Sequence, residues 1–295
     1  MNNPPLMGFE WNQAEDFPDL GLISIVAFDL QDEPRAIGTG FIVNRRDDSA
    51  DCVTAAHVFS EIRRIQSHPP RHSPSTPAEF LPPPRAIKID MESVWAVSVE
   101  SSRVEVCEIT WMAMDDQTDI AFFSISLQDT SKSPFFTRTY TPNGKMPSAG
   151  ELICIFSYAG MAVNVQLPKN KETMRLQLGR RHILRVGRIL NYYPNGHRLC
   201  HGPCFETSIP VYSGMSGGPA FIYNAQSGPI RPFGIVCSDP DVDGENKENR
   251  SIAGSSILAA LPCEKIIDQH KNEKIVLRIL AQGLSGAVDE ISSHR

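Results

Sequence analysis

Apolar residues along this chain gather in short β-rich runs punctuated by turn residues. Residues 21–28 (GLISIVAF) and 36–44 (AIGTGFIVN) read as strands joined by a hairpin across Asp32-Glu33-Pro34. Further strands are expected at 51–54, 86–90, 93–100, 104–112, 120–126, 152–157, 163–167, 184–192, 205–209, 219–223, 232–238 and 251–258. In 93–100, Val94, Ala96, Val97 and Val99 break the alternation, so its two faces are not assigned. About fourteen short strands punctuated by turn residues point to an all-β protein built from sandwiches or barrels. The long helical patterns that an α/β fold requires between its strands are missing.

Two segments break this rhythm. Residues 66–85 hold Pro69, Pro70, Pro74, Pro77, Pro82, Pro83 and Pro84, and a run so poor in backbone donors reads as an extended surface loop. Residues 263–281 carry Ile266, Ile267, His270, Ile275, Leu277, Ile279 and Leu280 at spacings that fit one or two amphipathic helices packed on the body. No internal repeat is visible, yet the strands divide into two sets with a seam near Pro142-Asn143-Gly144. The expected organisation is an N-terminal segment 1–20, a first strand set 21–141, a second 142–262 and a helical tail 263–295.

Length and composition narrow the classes. The 295 residues suggest about two domains, and 41% hydrophobic against 21% charged residues supplies a sizeable core. A net charge of −6 argues against a nucleic-acid partner, which needs a basic excess or stripe. No apolar run is long enough to cross a bilayer, so no membrane association is expected. The opening stretch bears Glu10, Glu15, Asp16 and Asp19 before the first basic residue, Arg35, unlike a secretory leader. Seven cysteines, an odd and sparse set, read as reduced buried thiols in a cytoplasmic protein. Cys200-His201-Gly202-Pro203-Cys204, with His197 upstream, has half the spacing of a zinc cluster but no second ligand pair. Neither a metal nor another cofactor is expected.

Three stretches carry candidate chemistry: Val53-Thr54-Ala55-Ala56-His57-Val58, Thr118-Asp119-Ile120-Ala121 and Ser213-Gly214-Met215-Ser216-Gly217-Gly218-Pro219. A serine hydroxyl is a weak nucleophile that needs a neighbouring base. It also needs backbone N–H donors where charge develops on a substrate oxygen, and glycines let amides point inward without a Cβ in the way. Gly214 and Ser216 are spaced so that both amides can aim at one oxygen. Gly214-Met215-Ser216-Gly217-Gly218 also satisfies the G-x-S-x-G pattern of α/β-hydrolases. There, however, the serine opens a helix and a histidine follows later. Here Gly217-Gly218-Pro219 leads into a strand, and only His270 and His294 come after.

T-A-A-H, D-I-A and G-x-S-G-G-P, in this order, resemble the signatures of the chymotrypsin-fold serine proteases over roughly residues 21–258. The resemblance implies two six-stranded antiparallel β-barrels with the active site in the cleft between them. It implies a serine endopeptidase acting on a polypeptide substrate through an acyl-enzyme. His57 would be general base and then general acid, Asp119 would hold its tautomer, Ser216 would attack, and the Gly214 and Ser216 amides would form the oxyanion hole.

The departures from the family pattern are informative. Secreted members carry cysteine after the histidine, where this chain has Val58. They carry aspartate before the serine to grip a newly cut N-terminus, and Met215 cannot do so. The motif is closer to the intracellular bacterial HtrA/Deg style, as a standalone domain, since residues 259–295 are too few for an appended peptide-binding domain. Pro210, six residues before Ser216, would floor the side-chain pocket and offers no charge, unless Asp239, Asp241 or Asp243 reaches in. Residues 234–239 resemble the edge strand that pairs with substrate, which makes Val236, Cys237 and Ser238 further substrate-binding candidates. An unrestrained protease in the cytosol is hazardous, so a regulatory partner is expected to reorder loops around Gly144, 158–171 or 239–250. The competing reading is a catalytically silent binding module on the same fold.

Overall fold

The computed structural model describes residues 21–67, 88–100, 103–127, 138–142, 145–166, 175–197, 200–223, 231–238 and 256–261. The first half of the chain supplies β1 (Leu22–Phe28), β2 (Pro34–Arg45), β3 (Ser49–Ala55), α1 (Ala56–Ile65), β4 (Val94–Glu100), β5 (Arg103–Asp115) and β6 (Ile120–Ser126). The second half supplies β7 (Leu152–Gln166), β8 (Arg175–Tyr193), β9 (Cys204–Thr207), β10 (Pro219–Ile222), β11 (Pro232–Ser238) and β12 (Ser256–Ala260). These close into two six-stranded barrels, ordered β1-β2-β3-β6-β5-β4 and β10-β11-β12-β9-β8-β7. Every pairing is antiparallel. The all-β, two-barrel expectation therefore holds.

The strands expected at 152–157 and 163–167 are one strand. β7 runs through Tyr158 and Ala159, shifts register against β8 between Ala159 and Ala162, and takes Gly160 into the left-handed region at φ 56°. Residues 158–162, expected to lie in a loop between them, are thus strand. β8 begins well before the expected 184. Arg180 and Arg181 hide the alternation there, yet Arg180 lies over the Tyr158 ring at 4.5 Å from its centroid. The strand expected at 86–90 is irregular over 88–90 and leads into a short 3-10 turn, Met91–Ser93, where the Glu92 amide and the Ser93 hydroxyl donate to the Asp90 carboxylate. The proline-rich loop lies almost wholly outside the described residues, and the N-terminal segment and helical tail lie outside them entirely.

Two packed clusters explain the two-sided burial of the second barrel. In β11, Val236 points into that barrel's core with Phe205, Met215 and Phe233. Ile235 and Cys237, on the other face, join the cluster that fills the first barrel. An aromatic seam stitches the halves together. Tyr140, in the connecting segment, sits 6.0 Å from Phe41 of β2 and 5.4 Å from Phe221 of β10, and Phe221 meets Phe156 of β7 at 5.5 Å. Tyr158 adds a cross-barrel hydrogen bond, its hydroxyl donating to the Leu22 carbonyl at 3.2 Å.

His182 of β8 packs edge-on against Tyr158, and burial with the nearby Arg180 charge lowers its pKa to about 4. Its neutral form is therefore the one the fold favours, and the unfolded chain takes up a proton near pH 6.5 that the native state refuses. Stability is full above pH 6.5 and falls as pH drops toward 4. Melting temperatures measured between pH 7.5 and 4.5 should fall less steeply for His182→Asn than for the wild type.

Candidate active site

His57 is the second residue of α1, a helix whose N-cap, Ala55, has no side chain to bind the orphan amides of the first turn. Asp119 supplies what is missing from across the sheet. Its carbonyl oxygen accepts from Ala56 N–H at 3.1 Å, and its carboxylate Oδ1 accepts from His57 N–H at 2.8 Å. The same carboxylate meets the imidazole, with Nδ1 at 2.8 Å from Oδ2 and 3.1 Å from Oδ1. A carboxylate only accepts, so Nδ1 carries the proton and Nε2 is left as a basic lone pair. Asp119 does all this at φ 55°, a left-handed conformation that costs an aspartate about 1–2 kcal/mol. It is buried, while the His57 side chain is 41% exposed.

A group of thiols packs beneath Asp119. Burial pushes Cys237 up to about 12, and the nearby Asp119 carboxylate adds to the rise, so Cys237 stays a neutral thiol. Cys200 Sγ lies 3.5 Å from Thr118 O and 3.6 Å from Gly202 O; the nearby Cys204 lowers its pKa, but Cys237 and burial together raise it. Cys204 is raised by Cys200 and by burial. All six described cysteines are free and buried. The Cys200–Cys204 segment, whose spacing suggested half a zinc cluster, is a brace for the Asp119 turn. His201 and Gly202 amides both donate to Gln117 O at 2.8 Å, and a Cβ on Gly202 would run into Thr118. Among the described residues no group of three or more His, Cys, Asp and Glu side chains is arranged to hold a metal ion. His197 instead stacks on Tyr193, ring centroids 4.1 Å apart.

The Ser216 turn comes from the second barrel and lies against the first. Ser216 O accepts from Thr39 N–H at 2.8 Å, and a Cβ on Gly38 would come within 3.1 Å of that oxygen. Gly217 sits at φ 83° where a Cβ would overlap Thr39 O of β2 and Thr54 Oγ1 at the end of β3, the strand that leads into His57. Gly218 faces the other way, its missing Cβ 2.6 Å from Phe156 O and Ser157 Oγ. Within the turn, Met215 N–H donates to Tyr212 O, Gly217 N–H to Val236 O, and Gly218 N–H to Met215 O. The amides of Gly214 and Ser216 donate to no backbone carbonyl among the described residues. Met215 itself is fully buried in the second barrel's core.

The trypsin-like peptidase domain matches residues 38–227. The chain belongs to that family. No curated protein matches it in sequence. Solved structures similar to it include the Rv3671c protease from M. tuberculosis in its active form, 13% identical with TM-score 0.45, covering 88% of this chain and 87% of that one. A second is the thermostable serine protease AL20 from an extremophilic microorganism, 12% identical with TM-score 0.46, covering 82% and 91%.

In this trypsin-like peptidase domain the remaining expected site residues are placed as follows. Pro210 is half-buried, and its carbonyl accepts from Arg185 Nη1 at 3.1 Å. Arg185, buried at the inward face of β8, lies over the Tyr212 ring at 4.3 Å. Sequence reasoning passed over this cation because its run of arginines resembles a solvated face. Val236 supports the turn by its backbone, giving N–H to Gly218 O and taking Gly217 N–H. Cys237 faces Asp119, and Ser238 ends β11 opposite Ile257. Asp239, Asp241 and Asp243 lie outside the described residues.

The glycine contacts make a clean test. Gly150 shares the φ of 83° found at Gly217, but a Cβ there meets nothing. Gly150→Ala should cost about 1 kcal/mol from backbone strain alone, and Gly217→Ala at least about 2 kcal/mol more. Denaturant unfolding of the two variants measures the difference.

Proposed function

We propose that this protein is a serine endopeptidase that cleaves peptide bonds through an acyl-enzyme on Ser216. The observation that carries the reading is the His57 Nδ1–Asp119 carboxylate hydrogen bond at 2.8 Å, built beside a turn that presents a serine. His57 Nε2 takes the Ser216 proton as the oxygen attacks the substrate carbonyl, and Asp119 stabilises the imidazolium that forms. The Gly214 and Ser216 amides bind the oxyanion. The imidazolium then protonates the leaving amine, and a water activated by the same imidazole releases the acyl group.

The substrate strand pairs with the end of β11 by β-addition, and its side chain enters near Pro210. A guanidinium there supports a pocket that does not favour lysine or arginine. The buried Met215 supports activation without an N-terminal ion pair, and a regulatory partner acting on the surrounding loops of an intracellular bacterial enzyme fits that. A silent binding module is the competing account. It has no use for a histidine held in the basic tautomer at a helix cap.

Purified protein and Ser216→Ala, incubated with unstructured casein and analysed by mass spectrometry, test the reading. The serine variant should lose at least about 10⁴-fold in turnover, and Asp119→Asn a similar factor through the wrong imidazole tautomer. Equal cleavage by wild type and Ser216→Ala would end it.

A further inference from the structure

We propose that Thr39, on the first barrel, is a positioning residue for the oxyanion turn, and that Ser157, on the second, completes a hydroxyl relay that holds it. The proposal deepens the serine-peptidase reading and rests on it. Thr39 is fully buried and binds both residues whose amides would form the oxyanion hole. Its backbone N–H donates to Ser216 O at 2.8 Å, and its Oγ1 lies 2.8 Å from Gly214 O. Its carbonyl accepts from Thr54 Oγ1 at 2.7 Å. Oγ1 also receives Tyr158 N–H at 3.2 Å and lies 3.0 Å from Ser157 Oγ.

Counting protons fixes the direction of the relay. A carbonyl oxygen only accepts, so the Thr39 hydroxyl donates to Gly214 O. Ser157, also fully buried, has one proton and three acceptors, Thr39 Oγ1 and Met215 O at 3.0 Å and Tyr158 O at 3.4 Å. With the Thr39 proton committed to Gly214 O, the bond between the two hydroxyls runs from Ser157 to Thr39, giving Ser157 O–H to Thr39 O–H to Gly214 O, each donor strengthening the next in a dry setting.

Gly214, at φ 92°, has no side chain to fix its orientation, so its peptide must be held from outside. Thr39 grips Gly214 through its hydroxyl and Ser216 through its backbone, and so sets the spacing of their two amides. Any residue at position 39 supplies the backbone bond. Only serine or threonine supplies the second at this size, and valine keeps the threonine volume without the hydroxyl.

The test uses the full chain and three variants, with acylation by a fluorophosphonate probe and turnover of an activated ester as readouts. Thr39→Val should slow acylation about 10- to 100-fold, in kcat with little change in KM, because the donors no longer sit where charge develops. Thr39→Ser, which keeps the hydroxyl, should stay within about threefold of wild type. Ser157→Ala should slow acylation less than Thr39→Val, and the double variant should be no slower than Thr39→Val alone. A folded Thr39→Val that acylates at the wild-type rate, a Thr39→Ser as slow as the valine variant, or a loss confined to KM overturns the proposal. If Thr39→Val does not fold, an undiminished rate in Ser157→Ala overturns it. Wild type indistinguishable from Ser216→Ala removes the serine-peptidase reading itself, and the positioning role goes with it.

Discussion

The structure depends on how closely the Ser216 turn can approach both barrels at once. Gly217 lies against Thr39 and Thr54 of the first barrel, and Gly218 against Phe156 and Ser157 of the second. Two adjacent positions without Cβ atoms let one backbone wedge between two closed sheets that offer no slack of their own. The wedge is then fastened by backbone bonds to Thr39 on one side and Val236 on the other. Because Thr54 and Ala55 precede His57, whatever holds the turn to this strand end also fixes where the serine stands relative to the imidazole.

Asp119 couples fold to chemistry from the other direction. Its carbonyl and carboxylate cap the helix that carries His57, and the negative charge sits at the favourable end of the helix dipole. One side chain thus sets the helix start, the ring orientation and the tautomer. The cost of its left-handed backbone is offset by these bonds and by a brace from the second barrel, where Cys200, Cys237 and the Gln117 carbonyl contacts converge. Both barrels are needed to shape a residue that belongs to only one of them.

The strand class was readable because β1, β3 and β6 are short, almost continuously buried runs bounded by turn residues. Alternation failed as a guide where charge or a bulge intervened. Arg180 concealed the first half of β8, and Gly160 broke β7 in two on paper while only kinking it in space. The His57 and Asp119 stretches were visible as motifs, and the fold brings the two together. The brace at Cys200–Cys204 and the reach of Thr39 to the Ser216 turn were not visible. Both are contacts between barrels, and local pattern carries no record of partners 82 or 175 residues away.

Incubation with a fluorophosphonate, followed by peptide mapping of the adduct, tests the central claim most directly. The account predicts a single phosphonylated residue, Ser216, formed by the native protein and lost in His57→Ala. A folded native protein that carries no adduct, or carries it at another residue, would contradict the convergence of these groups into one reactive site.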